Sequence, residues 1–446
     1  MGKLRFFRLV YLSSHWIRDR MTPAGLVISG LTAFAGAFGL DTQMNLAHMV
    51  FSLGLSLLLV DSFWLRWTRH RPITLRAERR LPEFVTAGEP ARYRVRVQNT
   101  GKRPLPPLRL AEVLQQPWPA AEALRHRAES LAVNRFDARV GYPAFIDLLR
   151  RLRALDVEPF ALMPLLPGQQ QDVEVVAQPN ARGLAIFEHM LILRSGPLGL
   201  MQTRQSLHVP VASLPVLPTR QPIRVEPASS LRHLQPGGIS LAQRVGDAEE
   251  FRSLRDYRPG DPLRAIHWRS YARTGQPVVR EYQEEFFARH ALVLDTAAPY
   301  PFAPSFETAV SIAAWLVAQP HDADALLDLL FVGDRVHRLT MGRGLGKADS
   351  LLRILATVQP SPPEGIEPLL ATLDRNAPQV SSVIAIFLAW DAPRQKAIER
   401  LLARGIRPQV FLIEEHSASQ DLADSRLAGV VQRLTASQLD AQVASP

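Results

Sequence analysis

Two apolar stretches separated by five residues constrain this chain more than any other feature. From Ala24 to Leu40 no residue is charged, and from Leu46 to Leu65 only Asp61 is, near the far end. An α-helix crosses a hydrocarbon core with roughly 20 apolar residues, so the pair reads as a two-helix transmembrane hairpin over residues 23–66. Pro23 suits a first helical turn, and Asp41 to Asn45 form a tight link. Gly25, Ser29, Ala33 and Gly36 recur at three- and four-residue spacing, which lets two helices approach closely. A cleaved signal peptide with Ala35-Gly-Ala37 as its site is a competing reading, as is the buried helical hairpin of a soluble domain. The second apolar stretch, following at once, speaks against the signal peptide.

Flanking charge gives an orientation. Lys3, Arg5, Arg8, Arg18 and Arg20 precede the first stretch, and Arg66, Arg69, Arg71 and Arg76 follow the second, whereas the link carries only Asp41. The positive-inside rule then assigns both termini and everything after residue 66 to the cytoplasm. Residues 1–22 form a basic segment in which Arg5, Phe6, Phe7, Arg8, Leu9 and Val10, with Trp16 and Ile17, suit an amphipathic stretch in the membrane interface. The chain has a formal charge of +10, and 48 of its 52 basic residues are arginine. Contacts to anionic phospholipids, about 1 kcal/mol per basic residue near the surface, account for much of that excess. Nucleic acid is not an expected partner. Cysteine is absent, which excludes disulfides, a thiol nucleophile, iron–sulfur clusters and cysteine-ligated zinc.

Beyond residue 72 the period changes to two. Tyr93 to Val97 alternates strictly and runs into the turn Asn99-Thr-Gly101, while Val173–Val176, Met190–Leu193 and Leu207–Val211 suit further short strands. With proline and glycine between them, residues 72–218 read as an antiparallel β-sandwich. An insert at about 118–157 departs from this. Apolar residues at 145, 148, 149, 152 and 155 make a helical stripe with arginines opposite, which suits a helix packed on the sandwich or, alternatively, one that binds a partner.

From about residue 289 to 438 strand and helix alternate, before a tail at 439–446. Strands are expected at 291–295, 383–388 and 410–413, a hairpin turning at Gly333-Asp334, and helices over 306–319, 347–358 and 393–404. This is the pattern of an α/β domain with a mostly parallel sheet, whose ligands bind at the carboxyl ends of the strands, where Asp295 and Asp391 lie. Gly342-Arg-Gly-Leu-Gly346 follows a hairpin and reads as a loop, so no cofactor is expected.

The connector, 219–288, holds the densest stretch. In Tyr257-Arg-Pro-Gly-Asp261 a turn leads to Asp261 as N-cap of a helix running from Pro262 to about Arg273, closed by Gly275, with a strand at Val278–Tyr282. Basic and acidic residues are nearly balanced here, which suits an ion-pair network.

Phe251, Arg255, Tyr257, Pro259-Gly260-Asp261, Arg264, Ile266-His267-Trp268 and Ala272-Arg273 together resemble the hallmark of the bacterial family catalogued as domain of unknown function fifty-eight. Arg182-Gly183, Gly196-Pro-Leu-Gly-Leu200 and Val216-Leu-Pro218 resemble its Arg-Gly, Asp-Pro-Phe-Gly and Tyr-Pro elements, with Gly196 in place of the aspartate and Leu198 in place of the phenylalanine. The resemblance implies an immunoglobulin-like sandwich, a C-terminal von Willebrand factor A-like domain and a place in the bacterial inner membrane. It further implies a MoxR-type AAA+ ATPase as partner, with other membrane or von Willebrand factor A-like proteins. The metal site of that domain is degenerate here, because Asp295 and Thr296 are followed by Ala297, Ala298 and Pro299 instead of two serines. Two functional classes follow. One is a membrane-anchored scaffold presenting cytoplasmic domains to the ATPase, with the connector motif either binding a partner or purely structural. The other is a hydrolase using Asp256 or Asp261 with His267 as acid and base.

Overall fold

The computed structural model describes residues 2–39, 45–68, 73–131, 139–225, 250–261, 263–283, 289–319, 326–342, 347–362, 365–415, 427 and 429–435. The expected link at 41–44, Pro262 and most of the glycine-rich loop at 342–346 lie outside these. Two units emerge: residues 1–220 with 299–303 and 352–360, and the remainder of 221–446.

The first unit begins with three helices, α1 (Gly2–Arg20), α2 (Pro23–Gly39) and α3 (Asn45–Thr68). Among the described residues one helix, Leu46–Thr68, is long and apolar enough to cross a membrane, and α2 is a shorter apolar helix. The two pack on each other, but not through the whole expected small-residue stripe. A Cβ at Gly36 would meet the Phe51 ring, whereas one at Gly25 would lie 1.9 Å from the Leu200 carbonyl oxygen. Gly54 of α3 also comes close to α2, since a Cβ there would sit 2.1 Å from Thr32 Oγ1.

Two sheets follow. One has the order β1-β3-β7-β5, from Leu75–Arg80, Ala91–Asn99, Gln170–Pro179 and Leu155–Val157. The other has the order β2-β10-β8-β4-β6, from Val85–Thr86, Ala212–Leu217, Gly183–Ser195, Leu108–Leu114 and Phe160–Leu162, with β9 (Gln202–Leu207) also paired to β8. Alternation puts Tyr93, Val95 and Val97 of one sheet and Leu110, Phe187 and Ile192 of the other into a single apolar core. The pairing is antiparallel except between β2 and β10, which run parallel. Residues 208–211 are not strand, since β9 stops at Leu207. Buried within this unit, Glu112 accepts from Arg79 Nη2 at 2.9 Å and from the Tyr93 hydroxyl at 3.1 Å. Burial pushes both the Glu112 carboxyl and the Tyr93 phenol up, against the pull of Arg79.

The insert forms α4 (Ala121–Leu131) and α5 (Tyr142–Arg153), with Phe145, Leu148 and Leu149 buried as the stripe requires. Arg182 of the Arg-Gly element is buried, and its guanidinium donates to the carbonyls of Leu355 (2.8 Å) and Val358 (2.8 Å), in the segment 352–360 of this same unit.

Asp61 is the least expected residue here. It sits on α3 with no exposed surface and accepts from the backbone amides of Leu198 (3.0 Å), Leu200 (3.0 Å) and Met201 (2.6 Å). A Cβ on Gly196 would lie 2.1 Å from its carboxylate. The carboxylate that an aspartate at 196 would bring to this turn is thus delivered from the helix, and the space left by glycine receives it.

In the second unit six strands line up as β15-β14-β13-β16-β17-β18, from Val336–Met341, Leu326–Val332, Arg289–Leu294, Ser382–Phe387, Gln409–Glu414 and Val431–Thr435. All neighbours run parallel except the β14–β15 hairpin. Near-continuous burial of Ala291–Leu294 and Val410–Ile413 is what a sheet covered on both faces demands. A separate pair, β11 (Glu250–Asp256) and β12 (Val278–Gln283), carries the connector motif with the short helix α6 (Trp268–Thr274). The remaining helices are α7 (Pro304–Ala318), α8 (Ala348–Thr357), whose residues from 352 on belong to the first unit, α9 (Ile366–Asn376) and α10 (Ala392–Ala403). Sequence patterning anticipates α7, α8 and α10 to within two residues at each end but misses α9 and β18.

Candidate functional site

The connector motif folds as a two-stranded ribbon closed by ionic and turn chemistry. β11 and β12 pair antiparallel from Glu250–Gln283 to Asp256–Val278, and the Tyr257 amide extends the ladder to the Pro277 carbonyl. The chain then reverses through Arg258 to Asp261, where the Asp261 amide donates to the Arg258 carbonyl at 3.0 Å. Gly260 sits at φ +106°, a conformation L side chains rarely adopt.

Asp261 does not cap a helix. Its carboxylate accepts two bonds from the Arg255 guanidinium, at 2.7 and 2.8 Å, and a third from the Arg258 amide at 2.9 Å. A planar guanidinium matches a carboxylate edge bidentately, and that fork outcompetes single amide bonds. Arg255, with the Arg258 amide behind it, pulls the Asp261 carboxyl down to about 2.

Nor is there one helix from 262 to 273. A single 3-10 turn spans Leu263–Ala265, Ile266 bridges to Val279, and the His267 amide donates to the Val278 carbonyl at 2.8 Å. Burying Ile266 against Val279 recruits the chain to the edge of β12, so α6 starts only at Trp268. Gly275 closes it as expected, at φ +72° with its amide on the Tyr271 carbonyl.

His267 Nδ1 lies 2.6 Å from Ser270 Oγ, so neither Asp256 nor Asp261 is its partner. Tyr257 packs half-buried on Ile266 and Val279. Among the described residues, Pro259, Arg264 and Arg273 are exposed, and so are Leu263 (65%), Trp268 (58%) and Tyr271 (42%). The Trp268 and Tyr271 rings stand edge to face with centroids 6.0 Å apart. A charged turn thus holds an aromatic and aliphatic patch in the open.

The second place of interest is the carboxyl end of β13. Asp295 is fully buried and accepts from the Ala297 amide (2.9 Å), the Leu388 amide (3.1 Å), and Nε (2.9 Å) and Nη2 (2.6 Å) of Arg394. Arg394, 3% exposed, also pairs with Asp391, which caps α10. Burial pushes the Asp295 carboxyl up, opposed first by Arg394. Thr296 Oγ1 donates to the Val332 carbonyl and lies 2.9 Å from Ser361 Oγ. These groups do not fit a divalent cation, because each oxygen donor is already committed and a guanidinium occupies the carboxylate. Among the described residues no group of three or more His, Asp or Glu side chains is placed to hold a metal. Arg394 was not a sequence candidate; the only local signal was its position three residues after Asp391 in a first helical turn.

Comparison with known proteins adds a family. The model of the family described as "Protein of unknown function DUF58" matches residues 253–407. No curated protein matches the chain. Among solved structures it is similar to a mutant of Salmonella alpha-2-macroglobulin, 16% identical over 32% of this chain and 7% of that one, with a TM-score of 0.16. It is also similar to the manganese-loaded Plasmodium vivax TRAP protein, at 13% identity over 35% and 72% with a TM-score of 0.27. A third is proximal thread matrix protein 1 of the mussel byssus, at 13% over 36% and 47% with a TM-score of 0.26. The chain spans less than half the length of the first and third of these, and TM-scores so low decide nothing about its fold.

Proposed function

We propose that this chain, a member of the DUF58 family through its domain at 253–407, is a membrane-anchored scaffold that offers its connector motif to a protein partner. In this reading α2 and α3 form a transmembrane hairpin in a bacterial inner membrane, with both termini cytoplasmic. The two sheets of the first unit make an immunoglobulin-like sandwich, and the six-stranded sheet belongs to a von Willebrand factor A-like domain. The partner is a MoxR-type AAA+ ATPase, and the assembly works on envelope complexes.

The observation that carries this reading is the exposure of Leu263 and of the Trp268–Tyr271 pair after a turn braced by Arg255 and Asp261. Exposed aromatic side chains on a braced element are the usual anchors of protein interfaces. The hydrolase alternative has less behind it, since Asp261 is neutralised by Arg255 and His267 faces a serine.

The test is copurification of the full-length protein in detergent from its own host, beside the Trp268→Ala, Tyr271→Ala double variant. Recovery of an AAA+ ATPase with the wild type and loss of at least tenfold with the variant is expected. Equal recovery of the ATPase with both, or none with either, overturns the reading. Tag accessibility at residue 43 and at the C-terminus checks the topology.

A further inference from the structure

We propose that α1 lies in the plane of an anionic bilayer surface, with the helical insert at 118–157 as its seat on the protein side. The proposal rests on the membrane-anchor reading and adds to it a second, surface-bound contact.

The helix is two-faced. At about 100° per residue, Lys3, Phe7, Tyr11, Ser14 and Arg18 fall on one side, and Leu9, Leu12, Trp16 and Phe6 on the other. The first side is docked. Phe7 is buried with its ring 5.5 Å from Tyr142 and 5.6 Å from Phe145, and Tyr11 meets Trp118 edge-on at 5.9 Å. Lys3 Nζ donates to the Arg139 carbonyl at 3.1 Å, and Gln202 donates to the Arg18 carbonyl at 3.1 Å. The rotation of α1 about its own axis is therefore fixed by the insert and β9.

The second side is left open. Phe6 (62%), Leu9 (65%), Leu12 (50%), Trp16 (56%) and Ile17 (41%) are exposed, and a shallow groove runs along the last four, edged by Arg5 and Arg8. Arg20 lies over the Trp16 ring at 4.1 Å. Basic residues along an apolar stripe with a tryptophan suit a layer whose interior is hydrocarbon and whose headgroups are negative. Asp19 is the only acid on α1, and it pairs with Arg204. Continuity points the same way, because only Met21 and Thr22 separate α1 from the apolar helix α2. Thr22 is tied there, its amide donating to the Leu200 carbonyl at 3.0 Å.

The absence of cysteine makes the test direct. Single variants Leu9→Cys, Leu53→Cys and Val176→Cys of the full chain are spin-labelled and reconstituted in vesicles of phosphatidylethanolamine and phosphatidylglycerol. Accessibility to oxygen and to a water-soluble nickel chelate is then measured. Labels at 9 and 53 are expected to be several-fold richer in oxygen than in nickel contact relative to the label at 176. Adding Arg5→Gln should move the label at 9 toward water. A label at 53 in lipid with the label at 9 in water, or at 9 shielded from both reagents by protein, overturns this proposal and leaves the anchor standing. A label at 53 in water overturns the anchor, and this proposal with it.

Discussion

Replacing Asp61 by alanine is expected to release the turn at residues 196–201, and the size of the effect follows from three distances. The carboxylate accepts from amides at 3.0, 3.0 and 2.6 Å, with no exposed surface. A hydrogen bond to a charged group is worth about 1.5–3 kcal/mol, and a buried amide left without an acceptor loses a comparable amount. The three bonds share one acceptor group and so do not add in full, which puts the loss at roughly 3–5 kcal/mol. At 1.4 kcal/mol per tenfold, local opening becomes about two to three and a half powers of ten more frequent. Hydrogen exchange of the full chain in detergent reads this directly at the amides of 198, 200 and 201. An acceleration below about tenfold would refute the reasoning.

The same geometry supplies a rescue. Gly196→Asp alone should be disruptive, since its Cβ would meet the Asp61 carboxylate at 2.1 Å. Gly196→Asp combined with Asp61→Ala should regain at least one power of ten in protection over Asp61→Ala alone. It returns an acceptor to the turn from the turn itself.

Arg394→Gln strips the buried Asp295 carboxylate of its guanidinium and is expected to lose about 3–5 kcal/mol, seen as a fall of several degrees in the thermal transition. Adding Asp295→Asn should recover more than half, because the uncompensated charge is then gone; a single variant as stable as wild type would contradict the ion-pair account. Asp261, held at about 2 against an ordinary 3.8, is the depressed-carboxyl case. Its contribution to the fold is therefore fully present above about pH 4 and is lost as pH falls through about 2. Carboxyl chemical shifts should titrate near 2 in the wild type and move back toward the ordinary value in Arg255→Gln, whereas a wild-type midpoint near 4 would remove the basis for the clamp.

Much of the fold was legible wherever the deciding contacts are local. The stripe at 145, 148 and 149 gave α5, strict alternation gave β3, and Asn99-Thr-Gly101 folds as a turn because Asn99 Oδ1 accepts from the Gly101 amide at 2.9 Å. Reading failed where a distant partner decides. Ile266 sits at helical spacing from Leu263 and Ser270, yet its burial against Val279 breaks the helix. Asp61 reads as a stray charge in an apolar helix until the amides some 140 residues later are known. In α9 the buried set Ile366, Leu369, Leu370 and Leu373 is helical, but Pro362, Pro363 and Pro368 around its start read as loop, although proline is tolerated in a first turn. At 255–273 spacing alone misreads the internal wiring, because a guanidinium and a helix cap compete for one carboxylate and spacing does not say which prevails.

The ribbon of β11 and β12 carries a consequence for affinity. Among its described residues only Ile266 and Val279, with Tyr257 against them, form an apolar centre. A two-stranded ribbon is marginally stable by itself. If the ribbon opens, the Arg255–Asp261 pair that braces the turn after β11 raises the population of the closed form. Any ligand that recognises the closed form binds with an apparent dissociation constant raised by the reciprocal of that population. Under the proposed partner-binding role, substitutions at 255 and 261 would scale recognition by a constant factor across partners, while changes at 268 or 271 would discriminate between them.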